Sequence, residues 1–202
     1  MKLDSTHSPV APASDDLLAQ EAIKEMVGQS YRDVVGKASR VAERLYDPDQ
    51  LNLLPPGAIE QALGIGNPIR AAALKPGETV IDLGCGGGID TILAARAVSA
   101  AGKAIGLDML REMLAVASRH AAEAGVTNVE WVHGYLEEIP LPDASVDVVL
   151  SNGVVNLSPR KSRVFAEIHR ILRPGGRFAL ADIVVDEDLP PEILTNPAAW
   201  AG

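Results

Sequence analysis

Val80-Ile81-Asp82-Leu83-Gly84-Cys85-Gly86-Gly87-Gly88-Ile89-Asp90 joins an apolar, β-branched run to a cluster of glycines and then to the start of a helix-length stretch. A strand that turns at once into a helix opens a crossover unit of a parallel sheet. At such a turn side chains would block a ligand, so Gly84, Gly86 and Gly88 let backbone approach one closely. Two ligand classes use turns of this kind. A dinucleotide fingerprint demands Gly-x-Gly-x-x-Gly. Counted from Gly84 and Gly86 the third position is Ile89, and counted from Gly86 and Gly88 it is Thr91, so both registers fail. The spacing is instead Asp-x-Gly-x-Gly-x-Gly, beginning at Asp82 on the strand itself. Twenty positions after Gly88, Gly106-Leu107-Asp108-Met109 places a second acid at the end of the next expected strand. A carboxylate there can accept hydrogen bonds from both hydroxyls of a ribose.

Downstream of this unit, short β-branched runs alternate with helix-length segments. The pattern predicts strands near Thr79 to Leu83, Lys103 to Asp108, Val129 to His133, Val146 to Ser151 and Arg177 to Ile183. Helices are expected from Asp90 to Val98, from Leu110 to Ala124, and from Lys161 to Leu172, the last stopped by Pro174, Gly175 and Gly176. A turn is expected over Leu141 to Ser145. Upstream, Asp15 and Asp16 precede Leu17, Leu18, Ala22, Ile23, Met26 and Val27, a helical spacing with acids at the positive end of the dipole. A second helix is expected from Tyr31 to about Leu45, followed by an irregular connection punctuated by Pro48, Pro55, Pro56 and Gly57. The organisation expected is a mobile tail over residues 1–14, a helical cap over 15–70 and a ligand-binding α/β domain over 71–202. The run from Asp182 to Glu192, with five acids and no base, is expected to be a solvated face.

Composition narrows the partners. The chain has 202 residues, 47% apolar and 22% charged, as expected of a folded domain with its own core. A formal charge of -9 repels a phosphate backbone, so nucleic acid is not an expected partner. The N-terminus has no signal-like apolar segment, and no run approaches the roughly 20 apolar residues of a membrane span. Cys85 is the only cysteine, which permits neither an intramolecular disulfide nor a cysteine-based zinc site and fits a reducing, cytoplasmic address. His7, His120, His133 and His169 show no metal-ligand spacing.

The Asp82, Gly84, Gly86, Gly88 spacing resembles motif I of class I S-adenosylmethionine-dependent methyltransferases. The resemblance implies an α/β, Rossmann-like sheet and S-adenosylmethionine as cofactor, with no pyrophosphate to neutralise and an ammonium that an acid such as Asp82 suits. It implies cofactor contacts at Asp82, Gly84, Cys85, Gly86, Gly88, Asp108, Met109 and Ser151. It also implies an adenine pocket at Leu136 and Glu137, within His133-Gly134-Tyr135-Leu136-Glu137-Glu138-Ile139-Pro140. Many such families place an acid directly after the glycine, where this chain has Tyr135.

Further stretches resemble the arsenite methyltransferases: Gly64-Ile65-Gly66-Asn67-Pro68, Ser151-Asn152-Gly153-Val154-Val155-Asn156-Leu157-Ser158-Pro159, and Glu167 to Gly176 followed by Ala181-Asp182-Ile183. In that family the positions of Ile65 and Gly153 are cysteines, and a further cysteine is expected shortly after Trp200-Ala201-Gly202. Trivalent arsenic is a soft centre held by thiolates. The resemblance therefore suggests arsenite as acceptor while the residues at 65 and 153 dispute it. Cys85, in the glycine loop, is read as a packing residue. The related fold has seven strands, and too little chain follows Val185 for the last two, so the expected sheet lacks its C-terminal strands. Its fifth-strand edge is then bare and prone to self-association.

Methyl transfer to a small molecule is the function this implies. The alternative is a binding module that keeps the cofactor cleft but has lost or changed the acceptor site. Tyr31 and Asn152 are expected beside the reacting centre, and no catalytic residue is assigned. The failed glycine spacing argues against a nicotinamide oxidoreductase.

Overall fold

A computed structural model describes residues 14–34 and 40–184. Five helices precede the sheet: α1 Ser14–Val34, α2 Ala42–Leu45, α3 Pro48–Leu51, α4 Pro56–Glu60 and α5 Pro68–Ala72. Strands β1 Thr79–Leu83, β2 Lys103–Asp108, β3 Val129–His133, β4 Val146–Asn152 and β5 Leu172–Ala181 follow, interleaved with α6 Ile89–Ala97, α7 Arg111–Glu123 and α8 Lys161–Ile171. The strands are all parallel and lie in the order β3-β2-β1-β4-β5. Helices cover both faces of such a sheet, so its central strands read as continuous apolar runs rather than alternating ones. β1 shows this, with Val80, Ile81, Asp82 and Leu83 all buried.

The crossover helices differ by position. α6 is buried from Ile89 through Ala95, as befits a helix between sheet and cap. α7 buries Met113, Val116, Ala117, His120 and Ala121, one stripe at helical spacing. The cap is continuous with the rest of the core, because Ala42, Tyr46, Leu54 and Ala58 pack with Ile89, Ile92, Leu93 and Ala121. Burial of each large aliphatic chain in this layer contributes about 1.5–3 kcal/mol. Arg177 adds a polar tie: its guanidinium donates to both oxygens of Glu78 at 2.7 and 2.9 Å and to the carbonyls of Ala72 and Ala73. No helix among the described residues is long and apolar enough to cross a membrane.

The expected strands β1, β2 and β3 have the observed bounds, and β4 runs one residue further. Three expectations need correction. The connection after Leu45, expected to be irregular, carries the short helices α3, α4 and α5, each opened by a proline at its first position, where the missing N–H costs nothing. The two expected N-terminal helices are one through Val34, because a glycine at position 28 does not break it. Interior glycine costs a helix about 1 kcal/mol. A Cβ at Gly28 would stand 3.6 Å from Met109 Cε and 3.7 Å from Leu110 Cδ2, ordinary contact distances, so this point of α1 packs against the residues that follow β2. The fifth strand begins at Leu172 rather than Arg177 and ends at Ala181. Leu172 pairs with Val146, then the register slips until Arg177 pairs with Val148. Arg173 to Gly176 bulge out between those pairs, with Gly175 at φ +82°. Proline 174, which has no N–H for a ladder, falls in this bulge. The expected tail and the sequence beyond Val184 lie mostly or wholly outside the described residues.

Candidate active site

Parallel α/β sheets bind ligands beyond the carboxyl ends of their strands, where the strand order reverses. In this sheet that point lies between β1 and β4. A cavity opens there, walled by the glycine loop, the ends of β2 and β4, and α1 from above. The loop leaves β1 through Gly84 at φ +67° and Gly86 at +49°, and enters α6 through Gly88 at +88°. Cys85 N–H donates to Leu107 O at 2.9 Å, which ties the loop to β2. His120, buried on α7, holds its far side by an Nδ1 contact of 2.8 Å with Gly87 O.

The three alternating glycines answer different demands. A Cβ at Gly84 would lie 2.6 Å from Val154 Cγ1, and one at Gly88 would lie 2.9 Å from Ala117 Cβ. One at Gly86 would meet no protein atom within 4 Å, although Gly86 lines the cavity. At Gly86 the missing side chain leaves ligand space rather than packing space.

Carboxylates dominate the walls. Asp108, at the end of β2, accepts from Gly86 N–H at 3.0 Å on Oδ2 and from Leu110 N–H at 2.8 Å on Oδ1. Each oxygen keeps a second acceptor position, enough for a vicinal diol. Asp82 Oδ2 accepts from the Thr91 hydroxyl at 2.6 Å. Asp90, in the first turn of α6, accepts from Tyr46 Oη at 2.8 Å and from Asn152 Nδ2 at 3.0 Å. Glu137, also buried, accepts from Ser158 Oγ at 2.5 Å. Lys24 is the cationic side chain on the wall, 3.9 Å from Glu137 Oε2 and 5.0 Å from the Tyr135 ring centre.

Burial pushes the Asp82 carboxyl well above the usual carboxylate range, and the charges of Asp90 and Asp108 push it further. Asp90 and Asp108 are also raised, mainly by burial. Burial, with Asp82 and Asp108 beside it, raises the Cys85 thiol well above its ordinary value, so it stays protonated. Tyr31 is raised by burial and then by Asp108 and Asp182. A raised carboxyl means that the folded state holds the proton more tightly than the unfolded chain. Stability is therefore lost as pH climbs from about 4, the unfolded value, through the raised one. Asp82→Asn should raise the melting stability of the ligand-free protein by about 1–2 kcal/mol at neutral pH. Thermal melts from pH 5 to 9 should show the variant's advantage growing with pH; an advantage that shrinks would contradict the assignment.

Of the residues expected from sequence, Asp82, Gly84, Cys85, Gly86, Asp108, Met109, Leu136, Glu137, Tyr31 and Asn152 line this one cavity. Gly88 and Ser151 do not. Gly88 starts α6 behind the wall, packed on Ala117 and near Trp131. Ser151 is buried in β4 opposite Leu83, and its hydroxyl has no hydrogen-bond partner. Sequence reading missed Lys24, Gln61 and Asp90 on the wall and Tyr46 behind it. Asp90 closes the glycine-loop stretch itself, and its place in the first turn of a helix was the available signal.

The donor set suits S-adenosylmethionine. Buried acids favour a ligand with net positive charge, Asp108 has acceptor capacity for a ribose, and Gly86 leaves backbone open to close approach. Gln61 adds a buried Oε1 on the wall with no partner of its own. His, Cys, Asp and Glu form no cluster able to hold a metal ion among the described residues.

The chain is similar to known methyltransferases. The arsenite methyltransferase of Halobacterium salinarum is 45% identical over 162 residues, which cover 80% of this chain and 41% of that protein. The arsenite methyltransferase of Aquipseudomonas alcaligenes is 43% identical over 137 residues, 64% of this chain and 40% of the relative. The chain thus spans about two fifths of the length of these relatives. An arsenic(III) S-adenosylmethionine methyltransferase from Chlamydomonas reinhardtii, solved by crystallography, superposes with a TM-score of 0.68 at 39% identity, covering 74% of this chain and 52% of that one. A family model described as a methyltransferase domain matches residues 74–202. The glycine loop, both strand-end aspartates and β1 through β5 fall inside that match, and the chain belongs to the methyltransferase domain family, which implies S-adenosylmethionine as its cofactor.

Proposed function

We propose that this cavity binds S-adenosylmethionine and that the chain transfers the methyl group to a small-molecule acceptor. The observation that supports this best is Gly86, open to the cavity and hydrogen-bonded through its N–H to Asp108, between two strand-end carboxylates. When bound, the cofactor supplies a methyl group on a sulfonium, which a nucleophile displaces in line with the departing sulfur. Asp82 balances the ammonium, Asp108 accepts from the ribose hydroxyls, and Met109, Leu136 and Glu137 flank the adenine. Gly84, Cys85 and Gly86 form the floor, with Gly88 and Ser151 supporting it from behind. Val27 and Tyr31 of α1 cover the opening, so the chain's contribution to rate is alignment and exclusion of water rather than proton transfer.

The acceptor side lies where α1 and the Gly64 loop face the end of β4. A Cβ at Gly153 would sit 3.5 Å from Ile65 Cγ1, so the two positions at which the family resemblance expects cysteines are neighbours in space. Isoleucine and glycine supply no sulfur, and Cys85 is 6% exposed with its thiol held protonated. These residues favour an acceptor other than trivalent arsenic held by paired thiolates. The same lack of thiols favours, as a second reading, a module that binds the cofactor without transferring its methyl group. The buried thiol is consistent with a reducing, cytoplasmic address. Transfer of radiolabelled methyl to arsenite with thiol, selenite, tellurite, quinones and small thiols separates the readings. Turnover with an acceptor other than arsenite supports the first, and cofactor binding without any turnover supports the second. Turnover with arsenite overturns the acceptor assignment.

A further inference from the structure

The end of β4 carries a side chain whose hydrogen-bonding capacity is used in full. Asn152 Oδ1 accepts from the N–H groups of Ile65 at 2.9 Å and Gly66 at 3.0 Å. Its Nδ2 donates to Gly66 O at 2.9 Å, Asp90 Oδ2 at 3.0 Å and Tyr46 Oη at 3.1 Å. Two hydrogens serve three acceptors, so one is shared. Tyr46 Oη in turn donates to Asp90 Oδ1 at 2.8 Å. The loop is shaped around this amide. A Cβ at Gly64 would overlap the Asn152 amide, and one at Gly66 would come within 2.5 Å of Ala181 Cβ. Ile65 between them is 40% exposed, so little apolar burial holds the loop and its order depends on Asn152. Asn152 lines the cavity, as expected of a residue beside the reacting centre, but its fully engaged amide has no spare polar group with which to bind an acceptor.

We propose that Asn152 is a positioning residue that couples occupancy of the cofactor cavity to the order of the Gly64-Ile65-Gly66 loop, through the hydrogen bonds it shares with Asp90 and Tyr46. The proposal rests on the cofactor reading of the cavity. Asp90 is the link, since it lines the cavity wall and is the acceptor on which Tyr46 and Asn152 converge. The other ionisable groups that face it are Asp82 on β1 and Tyr46 after α2. In an empty cavity the two buried carboxylates share low-dielectric space, and the proton stays on Asp82, the more strongly raised of the two. A cationic ligand on the wall is attracted to ionised Asp90 and holds its carboxylate in place. Ionised Asp90 accepts stronger, charge-assisted bonds from Tyr46 and Asn152. The amide is then held in the orientation that binds the two loop N–H groups, and the wall beside Gly153 is fixed.

Amide hydrogen exchange at Ile65 and Gly66 reads the coupling without any acceptor. Saturating S-adenosylmethionine should slow exchange at both amides by about tenfold, roughly 1.4 kcal/mol of added protection. Tyr46→Phe removes a donor to Asp90 from behind the wall. It should keep cofactor affinity within a few fold by calorimetry and reduce the ligand-dependent protection to less than threefold. Asp90→Asn, which removes the charge, should abolish that increment as well, and its basal exchange shows whether the loop still forms. Heat of binding with unchanged exchange at Ile65 and Gly66 overturns the coupling and leaves the cofactor reading intact. Full protection retained in both variants does the same. No heat of binding in the parent protein overturns the cofactor reading and the coupling together.

Discussion

Replacing Asp108 by alanine is expected to weaken S-adenosylmethionine binding by about two orders of magnitude, the largest loss at any side chain of the cavity. Hydrogen bonds to a charged group contribute about 1.5–3 kcal/mol each, and a ribose offers two, so the loss is at least about 3 kcal/mol or a factor of 100. The fold should survive. Burial raises the Asp108 carboxyl, so its charge is a burden to the ligand-free protein rather than a support. What the substitution does strand is the N–H of Gly86 and of Leu110, both of which Asp108 accepts. The glycine loop therefore loosens as well, which adds to the binding loss without unfolding the sheet. Asp108→Asn should behave similarly, because its amide NH2 would oppose one of the two backbone donors. Calorimetry beside a thermal melt checks this. A dissociation constant within threefold of the parent's, at unchanged stability, would remove Asp108 from the cofactor site.

The second large effect separates two glycines only two residues apart. Gly88→Ala should cost about 2–5 kcal/mol of stability: roughly 1–2 for a side chain in the left-handed region and 1–3 for overpacking. The added methyl would lie 2.9 Å from Ala117 Cβ and 3.2 Å from its Cα, backbone that cannot step aside. For a chain of this size that lowers the melting temperature by roughly 10 °C. Gly86→Ala should cost only the left-handed penalty of about 1–2 kcal/mol at its φ of +49°, because the new Cβ would meet no protein atom within 4 Å and adds no overpacking. It should nonetheless cut cofactor affinity at least tenfold, because the methyl stands on the cavity wall. Melts and titrations of both variants test the pair. The reverse pattern, with Gly86→Ala unstable and Gly88→Ala impaired only in binding, would mean that the loop presents its other side to the ligand.

Much of this was readable from the chain because local chemistry dictates it. The turn after Leu83 needs glycine at Gly84 and Gly86 for conformation and access, and Asp108 ends a strand, so the sequence brings both to the cavity wall. Parallel β1 and β2 are buried on both faces and read as near-continuous buried runs, while the edge strand β3 is only half-buried and is bounded by its β-branched and aromatic residues. The cap was less legible. α1 continues through Gly28, which faces Met109 and Leu110, and no local signal reports a neighbour some eighty residues away. The start of β5 was obscured for a related reason: Pro174 and the glycines beside it read as a stop, and the bulge that accommodates them exists only against Val146 and Val148. The Asn152, Asp90 and Tyr46 cluster was beyond sequence reading altogether. Its bonds span 44 to 106 positions, and nothing at position 46 distinguishes a tyrosine that meets a buried carboxylate from one that merely packs.

Titration of the purified chain with S-adenosylmethionine and, separately, with NADH, followed by calorimetry, addresses the central claim most directly. The account predicts saturable heat for one molecule of S-adenosylmethionine per chain and none for NADH. Heat with the dinucleotide and silence with the sulfonium nucleoside would contradict it.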